Sequence, residues 1–182
     1  MRFQRVVAKA SSEDGDTETK IICDEKQKAV YVVGEIDYDS IASFDAMIDR
    51  VLRNAHQSKK DKERPLKIII HSSGGIATTA FGMYDLLREI NKTIVPVHTI
   101  VRGEAISAAL FLAQAGQKRF IYPHSIIQFH SVVFKMKEDT KKYRDKDDFK
   151  KDKEVLLEQE EQIDILNKNI FSIFFSSCGN LS

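Results

Sequence analysis

Short apolar runs alternate with amphipathic stripes from Ala29 to Phe129. Ala29 to Val33 is apolar and β-branched and is bounded by Lys28 and Gly34, which predicts a strand. Asp39 or Ser40 then offers an N-cap. Ile41, Phe44, Ile48 and Val51 follow at three-to-four spacing, the stripe of an amphipathic helix. Leu66 to Ile70 is continuous apolar sequence with only Lys67 polar, as in a strand buried on both faces of a parallel sheet. Ser72-Ser73-Gly74-Gly75 interrupts it. Ala80, Met83, Leu87 and Ile90 mark a second helix ending near Asn91. Thr93 to Val101 predicts a third strand, weakened at its centre by Pro96. Gly103 opens a small-residue helix from Ala105 to Ala115, ended by Gly116. Arg119 to Tyr122 and Ile126 to Phe129 are short strands around Pro123. Strand and helix alternate throughout, which predicts an α/β domain with right-handed crossovers.

On either side of this region the pattern is different. Arg2 to Lys20 is polar and contains Ser11-Ser12-Glu13-Asp14-Gly15-Asp16, so residues 1–28 read as a weakly ordered arm. Lys135 to Lys153 holds nine basic and six acidic residues and reads as a solvated loop. From about Glu154, Leu156, Ile163, Leu166, Ile170 and Ile173 form one stripe, with Phe171, Phe174 and Phe175 at its end. That helix is too apolar to stand alone, so it is expected to pack on another subunit. The predicted organisation is an arm at 1–28, an α/β head at 29–134, and a charged insert with a helix at 135–182.

Composition narrows the function classes. The 182 residues are 42% hydrophobic and 30% charged, and the formal net charge is +1. Such a balance argues against a nucleic-acid partner. Cys23 and Cys178 are the two cysteines, too few for a disulfide framework or a zinc motif, and they suit a reducing, cytoplasmic location. No apolar run approaches the ~18–20 residues of a transmembrane helix, and no signal-peptide block opens the chain, so no membrane association is expected. Neither a metal nor a cofactor is called for.

Three segments are candidates for chemistry. His71-Ser72-Ser73-Gly74-Gly75 runs from a strand into a helix, and its glycines let backbone N–H groups approach a ligand. A tight turn alone would also explain them. Gly103-Glu104-Ala105-Ile106-Ser107-Ala108 holds one serine among small neighbours beside a strand, where a nucleophile is often presented. Close helix packing would explain the same residues. Gln128-Phe129-His130 ends an apolar run with a histidine, a residue type suited to a general base. His71 and His124 compete with it by type, while His56 and His98 have no supporting context.

Taken together, the order and spacing of these segments resemble the proteolytic subunit of the Clp protease. Gly82-Met83-Tyr84-Asp85, Leu112-Ala113-Gln114-Ala115-Gly116 and Lys118-Arg119-Phe120 with Pro123 and Ser125 extend the likeness across Ala29 to His130. The resemblance implies a ClpP/crotonase-like spiral of βαβ units with a protruding handle helix. It implies Ser107 as nucleophile, His130 as base, and the backbone N–H groups of Gly75 and Ala108 as oxyanion hole, with Ser72 and Gly74 beside the substrate. It also implies a homo-oligomer, a heptameric ring that stacks in pairs, fed with protein substrates by an ATP-dependent unfoldase.

This sequence departs from the family pattern in several places. His71 and Ser73 stand where the family has Asn and Pro, and Ser131-Val132 follows the base in place of Gln-Pro. The family's triad acid lies beyond the handle helix, and no Asp or Glu here maps to it before Ser182. A shortened chain, a Ser–His dyad and a catalytically impaired or non-catalytic ring subunit are the readings this leaves. A crotonase-type acyl-CoA enzyme shares the Gly-Gly oxyanion site but gives Ser107 and His130 no joint role.

Overall fold

The computed structural model describes residues 6–9, 19–54 and 63–130, together with helical positions 165 and 168. The chain divides into two compact units, Met1–Phe129 and His130–Ser182. In the first, a seven-stranded sheet forms the spine. β1 (Val6–Lys9), β2 (Lys20–Asp24) and β3 (Ala29–Ile36) run antiparallel as a meander. β4 (Leu66–Gly75) and β5 (Val97–Ile106) then add parallel strands. β6 (Lys118–Ile121) and β7 (Ile126–Gln128) both pair with β5, one after the other along its length.

Among the described residues, three helices cover one face. In α1 (Ser40–Asn54), Phe44, Met47, Ile48, Val51 and Leu52 are buried, which is the core-facing stripe of a 3.6-residue repeat. α2 (Ala77–Thr93) buries Ala80, Met83, Leu87 and Ile90. α3 (Ala108–Gln114) is short and buried from Ala108 to Ala113. It packs on α2, β4 and β5, and Phe111 meets Phe81 of α2 with ring centroids 5.7 Å apart. Each large side chain removed from water contributes about 1.5–3 kcal/mol. This is the α/β architecture that the alternation of strands and helices predicts. The handle helix predicted from Glu154 onward and the loop at Lys135–Lys153 lie outside the described residues, apart from the exposed helical positions Ile165 and Lys168.

Several boundaries differ from the sequence reading. β1 and β2 occupy part of the predicted arm, because Ile21 and Cys23 bury against the core and turn polar flanking sequence into sheet. β4 does not stop at Ser72 but pairs as far as Gly75. β5 begins after Pro96, not around it. The proline carbonyl accepts from Leu66 N–H at 2.9 Å, and its missing N–H lies outside the ladder. β5 also runs to Ile106, so Gly103 lies within the strand and the helix begins only at Ala108. Asp39 holds the N-cap position of α1, its carbonyl accepting from Ser43 N–H at 3.3 Å, but the capping side chain is that of Asp37. Its carboxylate accepts from the Ser40 N–H (2.8 Å) and hydroxyl (2.6 Å), and Asp37 N–H donates back to Ser40 Oγ.

Buried Lys28 joins the meander to the parallel half. It sits at φ +51° in the β2–β3 turn, and its Nζ donates to Arg64 O at 2.7 Å. Its own carbonyl accepts from Lys67 N–H. The carbonyl at 2.7 Å stands in for the water that a buried ammonium gives up.

Lys67, His98 and Lys118 are lateral neighbours on β4, β5 and β6. Partial burial and then the two ammonium groups lower the His98 pKa, and its ring packs on Phe120 at 5.6 Å. The folded state therefore binds the His98 proton less readily than the unfolded chain. This stabilising contribution is complete above the unfolded value near 6.5 and is lost as pH falls through the lower folded value. Urea unfolding at pH 7.5 and 5.5 is expected to show this loss. His98→Asn should flatten the pH slope, and an unchanged slope would contradict the assignment.

Candidate active site

The site is built where β4 and β5 lose their regular register. Ile70 pairs with Val101, yet Ser72 pairs with Ala105. One residue of β4, His71, therefore spans three of β5: Arg102, Gly103 and Glu104. Gly103 takes φ +107°, and the His71 imidazole lies so close over it that a Cβ would collide with Nδ1. Only glycine fits this point of the excursion.

Beyond the excursion, Glu104, Ala105 and Ile106 pair with Ile126, Ile127 and Gln128 of β7. The strand then ends abruptly. Ser107 N–H donates to Gln128 O at 3.0 Å, and Ser107 O accepts from Leu110 N–H as α3 begins. Ser107 itself has φ +52° and ψ −122°. A serine at positive φ pays a backbone strain of order 1–3 kcal/mol, and it does so at a sharp strand-to-helix corner. The side chain is half-buried.

The glycine pair closes on this corner. A Cβ on Gly74 would stand 2.5 Å from Ile106 O, 2.9 Å from Ser107 Cβ and 3.0 Å from Ala108 N. The backbone of β4 thus lies directly against the Ser107 corner and the first turn of α3. Gly75, at φ +138°, packs just as tightly on Ile36 of β3. Ser72 is only 1% exposed, and its Oγ accepts from Gly74 N–H at 3.1 Å, which pins the glycine turn from beneath. Ser72, Gly74, Gly75, Ser107 and Ala108 are therefore brought together by the ends of β4 and β5.

His71 is exposed and covers Gly103, and His124 is exposed in the turn between β6 and β7. His130 is exposed, opens the second unit and stands two residues beyond Gln128 in sequence. Among the described residues, no three His, Cys, Asp or Glu side chains are grouped so as to hold a metal ion. No helix among them is long and apolar enough to cross a membrane. Sequence reasoning did not foresee the strained serine backbone or the part played by Gly103. A glycine four residues before a lone serine was the available signal, but it was assigned to the wrong element.

The family model for Clp protease matches residues 25–171. The chain belongs to the Clp protease family. Among solved structures, a mutant form of ClpP1 from Listeria monocytogenes aligns over 85% of this chain and 74% of its own, with 18% identity and a TM-score of 0.62. That likeness establishes the fold. Serine peptidase chemistry belongs to the Clp family as a whole, and the serine corner described above lies inside the matched region.

The tight glycine contacts make a direct test. Gly74→Ala is expected to destabilise the protein by about 1–3 kcal/mol, because backbone atoms of Ile106 and Ala108 would have to move at a φ that L-residues avoid. Gly82→Ala, whose Cβ meets only the flexible Ile41 side-chain tip, should cost far less. Denaturant midpoints of the two variants would check this ordering.

Proposed function

We propose that this protein is a Clp-type serine endopeptidase subunit with Ser107 as nucleophile and His130 as general base. One observation carries the reading. Ser107 sits at φ +52° and ψ −122° on a strand-to-helix corner with the Gly74 backbone packed against it. Strain of this kind is retained where it presents a reactive side chain.

In this reading a peptide carbonyl enters beside Ser107. The Ser107 oxygen attacks the carbonyl carbon while His130 takes the hydroxyl proton. The carbonyl oxygen gains negative charge and is held by the backbone N–H groups of Gly75 and Ala108, which cost no reorganisation because the glycine turn is already fixed. His130 then gives the proton to the leaving amine, and water repeats the sequence on the acyl-enzyme. Ser72 and Gly74 shape the floor on which the substrate strand lies.

Assembly is the second part of the proposal. Clp family subunits generally form rings that work with Clp ATPases, and we extend this to a heptameric ring, paired rings, and an ATP-dependent unfoldase supplying protein substrates in the cytoplasm. A surface in the first unit supports it. Phe120, Ile121, Tyr122, Ile126, Ile127 and Phe129 on and beside β6 and β7 are each at least 43% exposed. Such a cluster is characteristic of a protein–protein interface.

A fluorophosphonate probe is expected to label Ser107 and no other serine, as read by peptide mapping. Ser107→Ala should abolish labelling, and His130→Ala should slow it by roughly 10²–10⁴-fold. Equal labelling of Ser107→Ala and wild type would exclude Ser107 as nucleophile. Unlabelled wild type that still assembles would instead identify a non-catalytic ring subunit.

Light scattering is expected to give a mass several times that of one 20.8 kDa chain. Ile127→Glu should shift that mass downward, since an unpaired carboxylate is costly to bury. A clean wild-type monomer at micromolar concentration would contradict the assembly.

A further inference from the structure

We infer that Ser125 is a positioning residue for the Ser107 corner: its hydroxyl clips the excursion in β5 shut and so sets the angle at which the strand delivers Ser107. The inference rests on the reading of Ser107 as nucleophile.

β5 changes partner in mid-course. Up to Val101 it pairs with β6, and from Glu104 it pairs with β7. Between these two ladders lie Arg102 and Gly103, which a regular strand would not accommodate. Ser125, just before β7, bridges this gap. Its Oγ donates to Val101 O at 3.1 Å and accepts from Gly103 N–H at 3.0 Å. One hydroxyl thus satisfies groups on both sides of Arg102. Ser125 N–H donates to Tyr122 O (2.9 Å), and Tyr122 N–H donates to Val101 O (3.1 Å), so the turn from Tyr122 to Ser125 is closed onto the same point. The Arg102 guanidinium lies 5.2 Å from the Tyr122 ring centroid and adds a third tie.

The consequence falls on Ser107. From Gly103 to Ser107 there are only three paired residues, and Ser107 N–H ends on Gln128 O. Successive strand residues face opposite ways, so any change in the excursion is passed to the corner as a rotation. Gly74, with 2.9 Å between its built Cβ and Ser107 Cβ, leaves no room to absorb it.

The hydroxyl is not needed to keep the fold. Gly103 is exposed, so water can take over its N–H, and Val101 O retains the Tyr122 N–H. Removing the hydroxyl is therefore expected to cost little stability and much precision. Misplacement of reacting groups by about 1 Å can cost about 100-fold in rate.

The test is saturation kinetics of fluorophosphonate labelling on the full chain, with wild type, Ser125→Ala and Ser125→Thr compared. Circular dichroism and a melting curve accompany each. For Ser125→Ala the maximal labelling rate should fall roughly 10–100-fold while the half-saturating probe concentration stays within about two-fold. Ser125→Thr keeps the oxygen in place and should restore the rate. Wild type that labels, with Ser125→Ala equally fast, would overturn the positioning role alone. Slow labelling that merely tracks lost folded protein, or that Ser125→Thr fails to restore, would also overturn it. Wild type that does not label would overturn the reading of Ser107 and this role with it.

Discussion

The close approach of two backbones governs the site. β4 ends at Gly74 and Gly75, and nothing larger than hydrogen can stand between Gly74 and the Ile106–Ala108 corner of the neighbouring chain segment. That contact forces glycine at 74, holds the first turn of α3 against β4, and defines one side of the space beside Ser107. Ser72 supports the turn from within the core through its bond to Gly74 N–H. Hydrogen bonds that would otherwise be lost at the end of a strand are thus converted into a rigid ledge.

A second irregularity makes the first useful. A regular β5 would carry its side-chain alternation straight through the corner. The three-for-one excursion opposite His71 resets both register and direction, and it moves β5 from β6 onto β7. Gly103 permits the turn, His71 covers it, and Ser125 closes it. Strain at Ser107 is held because Gln128 fixes its N–H, Leu110 fixes its carbonyl, and α3 is buried along nearly its whole length. In the proposed reading, preorganisation of this kind holds the Ser107 corner in the geometry the reaction needs.

The rest of the first unit serves as foundation. α1, α2 and α3 bury one face of the sheet, and Phe111 links α2 to the end of β7 through Phe81 and Phe129. Lys28 fastens the antiparallel strands to the entry of β4. The strands beyond β5 are different in character. β6 and β7 expose every residue, the large apolar Phe120, Ile121, Ile126 and Ile127 among them. The Ser107 corner is tied to β7 through Gln128, and this exposed patch includes β7, so the proposed chemistry and the proposed assembly are physically adjacent.

Local sequence alone determined the elements with strong periodicity. The stripes at Phe44, Ile48 and Val51 and at Ala80, Met83, Leu87 and Ile90 could only face a core, and the run Leu66–Ile70 could only be a central strand. The order and spacing of the segments holding Gly74-Gly75, Ser107 and His130 also carried the resemblance to the family. Tertiary structure decided what local rules could not. Gly103 looked like the start of a helix because glycine breaks both periodicities equally, and only the pairing of the residues on either side of it kept it within a strand. β2 gained its place in the sheet from pairing with β3 and from burial of Ile21 and Cys23, a long-range effect that the short run Ile21-Ile22-Cys23 only hints at. The positive φ of Ser107 is likewise invisible in Ala-Ile-Ser-Ala-Ala. It arises because β5 must finish on Gln128 while α3 must start against Gly74, and one residue has to absorb the difference.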